Sequence, residues 1–434
     1  MLRLVIILSL LFIISVRYKF KPYLTLITSA LISGLLLEMN FLNTLSLVFV
    51  GFKNILFGIG PLILIGTLLG KILMETGSTR KMVDSFFSFF GLERIPVTLN
   101  IFGFILSIPV FCDAAFIIMS SIIKEISKTS GKNIIILAVC LATGLYSAHV
   151  FVPPTPGPIA AAAILKADIG LLLIVGLFTG LIVSIAGFLW IKFLFKKDFK
   201  IKFQVDQAKY FKKNTSLYIF LPIIIPVTLI SLSTIIKYPS FNFQGTFLNI
   251  ISFTGRPDIA LIIGVFTSSL FIDNKKIREL PSWVYDSLKK SLDIILITGA
   301  GGAFGYVIRS SQIIDSISLD DINGVISIIT VFLIAALIKT IQGSSTVALI
   351  TTCALISPII ESSFIVSEIQ KVILVISIGS GAMMISHVND SYFWVISKYS
   401  NISMSDTIKF FTTATIIQGI TGLIISITLF IFLT

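Results

Sequence analysis

Long apolar runs recur along the whole of this chain of 434 residues. An α-helix needs about 20 apolar residues to cross a bilayer, whereas the strands of a membrane barrel alternate polar and apolar residues over about 10 positions. Hydrophobic residues make up 56% of the sequence and charged residues only 12%, about half of what a soluble domain carries. The sequence therefore predicts an all-α polytopic membrane protein.

The formal net charge of +12 comes from Lys and Arg residues in short loops between the apolar runs. Basic loops of this kind mark the cytoplasmic side of a membrane protein, so we expect no nucleic-acid partner. The three cysteines lie inside apolar segments without metal-binding spacing, and no His-Glu-x-x-His motif is present. We therefore expect no metal site, no cofactor and no enzymatic activity.

About ten spans are predicted when the apolar runs are threaded between basic and acidic loops. They lie near residues 2–16, 23–38, 56–74, 133–165, 170–191, 217–236, 257–272, 290–309, 369–397 and 409–433. The first lies in an additional N-terminal segment, residues 1–21. It lacks the small-residue cleavage site of a signal peptide, so we interpret it as a transmembrane helix.

Two further apolar segments do not fit as simple spans, because the charges that flank each one have the same sign. Residues 97–123 lie between basic residues and contain Pro109 to Asp113 at their middle, and residues 324–360 lie between acidic residues and contain Gln342 to Thr346. We expect two re-entrant hairpins of opposite orientation. Irregular backbone at this depth is tolerated inside protein or beside a polar cavity, so the hairpin tips should face a binding site.

The order span, span, hairpin, interrupted span, span occurs twice with reversed orientation, which is typical of an inverted repeat. The first repeat covers residues 22–192, with its broken helix near 133–165, and the second covers residues 256–434, with its broken helix near 369–397. Residues 193–255 supply a basic cytoplasmic linker and an additional transmembrane helix.

Both interrupted spans contain residues that break an α-helix. The first passes from His149 through Thr155 and Gly157 with four prolines, each of which removes a backbone donor. The second contains glycines and then Asn389 and Asp390. Unwound helices expose half-helix N-termini to anions and free carbonyls to cations, so the matched breaks indicate a midplane site. A plain loop between two spans is the alternative for the prolines.

Five ionisable side chains are candidates for chemistry at this depth. Poor hydration favours the protonated form of a carboxylate, so Asp113 and Asp390 are the proton-coupling candidates, with a permanent helix cap as the alternative. Lys339 can bind a substrate carboxylate or neutralise one of these aspartates. His149 and His387 can relay protons, bind substrate hydroxyls or simply bond a broken-helix carbonyl.

Polar residues at the tip of the second hairpin suit either a hydroxylated acid or a coordinated cation. The predicted substrate-binding residues are Lys339, Gln342, Ser344, Ser345, Thr346, His149, Thr155, Gly157, His387 and Asn389.

The motifs of this chain resemble those of the gluconate permease family, bacterial gluconate:proton symporters within the ion transporter superfamily. The resemblance is carried by residues 108–113, 149–158, 299–304, 342–348 and 386–394. It implies a bacterial inner-membrane, multi-pass permease that imports gluconate or a related sugar acid, driven by the proton gradient. Lys339 stands where arginine is usual in the family and Cys112 where an aromatic residue is usual.

The expected partners are a small anionic substrate such as gluconate, protons and membrane lipid, and a homodimer is also considered. Sodium coupling and a D-serine-type amino-acid permease of the same family are the nearest alternatives. A membrane-embedded enzyme is the alternative from another class, although no motif favours it.

Overall fold

Helices form the architecture of this computed structural model, which describes residues 22–90, 95–196, 217–236, 246–273, 276–310, 324–362, 367–388 and 390–434 and shows no strand within them. The predicted N-terminal helix of residues 1–21 and the linker residues 197–216 lie outside the described residues. An all-helical protein was predicted, and the described residues confirm it.

The helices of the first half begin at Pro22. They are α1 (Pro22–Leu36), α2 (Phe41–Glu75), α3 (Ser78–Phe90), α4 (Ile95–Leu106), α5 (Cys112–Ser130), α6 (Ile134–Phe151), α7 (Pro156–Ile164) and α8 (Ile169–Leu194). Side chains of Asn40, Asn133 and Asp168 cap α2, α6 and α8 by accepting a bond from a first-turn N–H. The segment predicted as the first hairpin is therefore two helices joined by residues 107–111.

The second half follows a short 3₁₀ turn, Leu217–Phe220. Its helices are α9 (Leu221–Ile236), α10 (Thr246–Thr254), α11 (Pro257–Ser269), α12 (Leu280–Arg309), α13 (Val325–Gln342), α14 (Ser345–Ser362), α15 (Glu368–Ala382), α16 (Ser391–Ser400), α17 (Met404–Thr407) and α18 (Thr413–Leu433). A π-helical turn, Ile408–Thr412, joins α17 to α18. The segment predicted as the second hairpin is α13 and α14, with a break at Gly343 and Ser344.

Six helical segments within the described ranges are long and apolar enough to cross a membrane, and a seventh is added if α10 and α11, bent by 72°, form one span. The six are Phe41–Gly58, Ile134–Ile164, Ile169–Leu194, Tyr218–Ile236, Ile277–Ile308 and Met404–Leu433. The chain is therefore a multi-pass membrane protein, while the count of about ten spans stays a prediction. Two predicted boundaries differ, because α2 extends back to Phe41 and α12 begins at Leu280 instead of near residue 290.

The helices of the two halves pack in the same pattern. In the first half α4 and α5 pack against α6, and α8 packs against α4 and α6; in the second half α13 and α14 pack against α15, and α18 packs against α13 and α15. Between the halves, α7 contacts α14 just as α16 contacts α5, while α2 pairs with α12 and α8 with α18. Every one of these contacts has a counterpart in the other half, as two structural repeats would give.

Candidate functional site

Four irregular segments of the chain meet inside the protein. They are the turn at residues 107–111, the break at 152–155 between α6 and α7, the break at 343–344 between α13 and α14, and residues 383–390 between α15 and α16. The first two segments and α2 line a small cavity. A substrate site at the hairpin tips and helix breaks stays a prediction, and the sequence left open which side chains of these segments touch.

A buried ion pair joins α13 to the second break. The ammonium nitrogen of Lys339 lies 2.5 Å from Oδ2 of Asp390, and the two side chains are 0% and 5% exposed. Lys339 also donates to the carbonyl of Gly343 at 2.9 Å. Lys339 is thus paired with one of the two aspartates singled out from the sequence, and a role in binding substrate stays a prediction.

Two groups besides Lys339 hold the carboxylate of Asp390. Ser386 Oγ donates to Oδ2 at 2.5 Å, and the backbone N–H of Tyr392 donates to Oδ1 at 3.0 Å, which makes Asp390 the N-cap of α16. Both carboxylate oxygens therefore have hydrogen-bond donors, and the bond from Lys339 is charge-assisted.

Asp113 has far fewer partners than Asp390. It lies half-buried in the first turn of α5, and the thiol of Cys112 is 3.6 Å from its Oδ1. Within the described ranges it forms no ion pair, although Lys290, Lys339 and Asp390 are near enough to act on its charge. Of the two aspartates, Asp113 is therefore the one without an ion pair or a short hydrogen bond among the described residues.

The two histidines lie on different sides of the second hairpin. His149 is buried, its Nε2 lies 3.5 Å from the hydroxyl of Thr346, and its Nδ1 has no hydrogen-bond partner among the described residues. His387 is partly buried, and its Nε2 lies 3.1 Å from the carbonyl oxygen of Thr340. His149 thus faces the tip of the hairpin, whereas His387 contacts the backbone of α13.

The remaining predicted residues divide between the two breaks. A Cβ built on Gly157 would lie 3.7 Å from Thr346, so the first break directly abuts the second hairpin tip. Thr155 is buried and donates to the carbonyl of Val152 at 2.5 Å. At the tip, Ser345 is buried and Ser344 Oγ accepts from the N–H of Val347 at 3.3 Å.

Two further residues were predicted for the substrate site. Gln342 is partly buried at the end of α13. Asn389 lies outside the described residues.

Lys290 was missed by the sequence reasoning, which placed it at the very start of a span. Because α12 begins at Leu280, Lys290 lies ten residues, or about 15 Å, along the helix. Its ammonium nitrogen is 4.1 Å from the centre of the Phe111 ring in the first hairpin turn. The buried stripe of Trp283, Ser287 and Ser291 is the sequence signal that extends α12 and could have found it.

Tyr146 was also missed, because nothing in an apolar helix distinguishes one aromatic residue from another. It lies three residues before His149 on the same face of α6. Its buried hydroxyl is near Ser345 but at a geometry that makes no hydrogen bond.

A second layer of polar residues holds the break before α16 in place. The hydroxyl of Thr412 donates to the carbonyl of Ser386 at 2.5 Å, and the backbone N–H of Ser386 donates to the hydroxyl of Thr415 at 3.2 Å. Thr412 belongs to the π-helical turn, a distortion that is often found at functional sites. This contact fixes the backbone next to Asp390.

Known proteins resemble this chain along most of its length. The family model described as GntP family permease matches residues 1–433. The chain is 30% identical over 430 residues to a gluconate permease of Pseudomonas aeruginosa, covering 95% of this chain and 94% of that protein. It is 28% identical over 429 residues to the D-serine transporter DsdX of Escherichia coli, covering 94% and 93%.

A similar fold occurs in a solved structure, the YdaH transporter of Alcanivorax borkumensis, described as having an unusual topology. The TM-score is 0.60 at 12% identity, over 89% of each chain. This likeness concerns the fold, while the family match concerns the whole sequence. The chain therefore belongs to the GntP permease family, whose members are transporters and not enzymes.

Proposed function

We propose that this permease imports gluconate or a related sugar acid across the bacterial inner membrane by proton symport, with Asp113 as the proton carrier. The observation that carries the proposal is the contrast between the two aspartates of the site. Asp390 has an ion pair and two further donors, whereas the one partner of the Asp113 carboxylate within the described part of the chain is a thiol at 3.6 Å.

A proton carrier must gain and lose its proton during each transport cycle. Protonating Asp390 would break its bond to Lys339 and leave a buried ammonium group without a partner, which is strongly unfavourable. Protonating Asp113 breaks no ion pair in the described part of the chain. Of the two candidates from the sequence, Asp113 is therefore the one we assign to proton coupling, and Asp390 the one we assign to structure.

The charges of the site also favour coupling to one proton. Asp113, Asp390, Lys290 and Lys339 sum to zero when all four are ionised. An anion that enters this partly buried region would give it a net negative charge, which is costly unless a proton enters too. A monovalent substrate and one proton restore neutrality.

The substrate class rests on the relatives and on the hydroxyl-bearing tip of the second hairpin. Gluconate is named for a relative at 30% identity and D-serine for one at 28%. Thr346 and His149 offer groups that can bond substrate hydroxyls, which a sugar acid has in greater number. D-serine transport is the second candidate, and the experiment below includes it.

The inverted repeat and the re-entrant hairpins belong to the same proposal. The matched packing of the two halves supports an inverted repeat over residues 22–192 and 256–434, since each contact in one half has its counterpart in the other. In this arrangement the hairpin tips and helix breaks form the substrate site between the halves.

Uptake into proteoliposomes tests the function. With an inward pH gradient and no sodium, the purified protein should accumulate labelled gluconate. Asp113→Asn should abolish this accumulation. The variant should still exchange gluconate at equal concentrations on both sides, because exchange needs no change of protonation. Asp258→Asn, at an exposed surface pair, is the matched control and should behave as the wild type. Strict sodium dependence, or normal accumulation by Asp113→Asn, would contradict proton coupling through Asp113. If the protein takes up D-serine and not gluconate, D-serine replaces gluconate as the proposed substrate.

A further inference from the structure

We propose that Lys290 binds the carboxylate of the substrate, and that the ionised side chain of Asp113 competes with the substrate for it. This inference rests on the proposed function and deepens it, because it names the anion-binding group of the site. It also explains how a proton and an anion can be coupled. When Asp113 takes up a proton, Lys290 loses its competing negative charge and becomes available to the substrate.

Lys339, the lysine that the sequence favoured for this role, is already engaged. Its ammonium group lies 2.5 Å from Asp390 and 2.9 Å from the carbonyl of Gly343, and its side chain is fully buried. A substrate carboxylate would have to enter this fully buried contact and compete with Asp390, and losing the bond to Lys339 would leave Asp390 buried without its partner. The anion therefore needs another cation.

Lys290 also lies near the site. Among the described residues, no carboxylate lies within ion-pair distance of its ammonium group. It is an exposed residue and forms no ion pair there. The nearby Lys71, in contrast, is paired with Glu75 at 2.8 Å and with Asp286 at 3.0 Å. Lys290 thus differs from Lys71 in that it combines an exposed side chain without a paired carboxylate among the described residues with a position beside the first hairpin turn.

The position of Lys290 on α12 directs it toward the site. It follows the buried Trp283 by seven residues, which is two helical turns, and therefore lies next to the buried face of α12. Its ammonium group stands 4.1 Å from the centre of the Phe111 ring, a contact that holds a cation in place without neutralising it. Lys289 lies about 100° further back around the helix and faces away.

Groups that suit the hydroxylated end of a substrate lie beyond Phe111. The ring of His149 is 6.1 Å from that of Phe111, and its Nε2 is 3.5 Å from the hydroxyl of Thr346. The unpartnered Nδ1 of His149 is a further polar atom in this region. A cation at one end and hydroxyl-binding groups at the other match a small monocarboxylate with several hydroxyls.

Electrostatic interactions connect the proposed competitors. Asp113 acts on the charge of Lys290, and Lys290 in turn acts on Asp113 and His149. Among the described residues, other titratable or charged groups also face this pair from the elements packed around it. They are Cys112, Tyr146, Tyr392, Asp390, Lys339 and Lys71. Asp390 is paired with Lys339, and Lys71 is paired with two carboxylates, Glu75 and Asp286. Asp113 has no such ion pair among the described residues, so we take its ionisation as the event that changes the field at Lys290.

Binding of gluconate to purified protein in detergent, measured by isothermal titration calorimetry across pH 5 to 9, tests the inference. Lys290→Gln should weaken binding at least about tenfold, the contribution of a charge-assisted hydrogen bond, while Lys290→Arg should retain most of the affinity. Lys289→Gln is the matched control and should bind as the wild type does. Asp113→Asn should remove the weakening of binding at high pH that the wild type shows.

The double variant Lys290→Gln/Asp113→Asn separates competition from general repulsion. If Asp113 acts through Lys290, Asp113→Asn improves binding at pH 9 much less in the Lys290→Gln background than in the wild type. Unchanged affinity in Lys290→Gln, or equal effects of Asp113→Asn in both backgrounds, would overturn the inference even if the wild type performs gluconate:proton symport. If the wild type binds neither gluconate nor D-serine, the proposed function itself fails. Size-exclusion elution of each variant as one monodisperse peak controls for folding.

Discussion

Lys339 and Asp390 form a buried ion pair in which each charge offsets the destabilisation that the other would cause alone. Removing a single member of a buried ion pair leaves an uncompensated charge, which is worse than having neither charge. The pair also links α13 to the break before α16, since Asp390 caps that helix. We therefore regard it as a structural connection beside the proposed transport site.

Lys339→Met should lower the free energy of unfolding by about 3 to 5 kcal/mol, because Asp390 would stay buried without its cation. The double variant Lys339→Met/Asp390→Asn should recover most of this loss, since it removes both charges and Asn still caps a helix. Thermal unfolding in detergent measures both effects. Arg256→Ala, which removes an exposed pair with Asp258, is the control and should cost about 1 kcal/mol or less. A double variant as unstable as the single one would show that the pair is not the cause.

At the scale of helices, glycines let the broken helices approach the hairpins closely. A Cβ on Gly144 of α6 would fall on the carbonyl oxygen of Asn100 in α4, and a Cβ on Gly381 of α15 would fall on that of Phe332 in α13. The first arm of each hairpin thus packs against its broken helix through the same kind of contact. This backbone contact positions the hairpin tip beside the break.

Gly144→Ala and Gly381→Ala should each destabilise the protein by about 1 to 3 kcal/mol, because the added methyl group meets a backbone oxygen that has little room to move. Gly58→Ala in α2 is the matched control: no atom lies within 4 Å of the added Cβ, so the change should be neutral or stabilising by up to about 1 kcal/mol. The midpoint of thermal unfolding in detergent compares the three variants. Equal midpoints for all three would contradict the close approach of the helices.

At the scale of the molecule, two similarly packed halves bring two lysines and two aspartates to one region. Helices α2 and α12 pair across the halves, as do α8 and α18, so the site lies where both halves contribute. Its charge depends on residues from both, since Asp113 comes from the first half and Lys290, Lys339 and Asp390 come from the second. The balance of these charges gives the proposed stoichiometry of one anion to one proton.

Transport by the whole protein should therefore be electrically neutral. A pH gradient of one unit across proteoliposomes should drive about tenfold accumulation of gluconate at equilibrium. Each gluconate enters with one proton, and one pH unit is a tenfold ratio of proton concentrations. A potential of about 100 mV, set with valinomycin and potassium at equal pH, should drive none, since no net charge crosses. Accumulation driven by the potential alone would instead require a second coupled cation.

The sequence by itself determined the features that depend on neighbouring residues. Apolar runs predicted a helical membrane protein, and prolines or glycines at 153–158 and 379–390 predicted the helix breaks, since both effects act within a turn or two. The helices at 95–130 and 325–362 with their central turns follow from the same local signals.

Only the tertiary structure decided how the charged residues pair. Lys339 and Asp390 are 51 residues apart, His149 and Thr346 are 197 apart, and no local pattern states that they touch. The sequence left both aspartates as equal candidates and overlooked Lys290. The electrostatic energy of a charged side chain in such a site depends on the distance to its counter-ion, which the sequence does not state. The packing of the two halves set those distances, and so distinguished the engaged pair, Lys339 and Asp390, from Lys290 and Asp113.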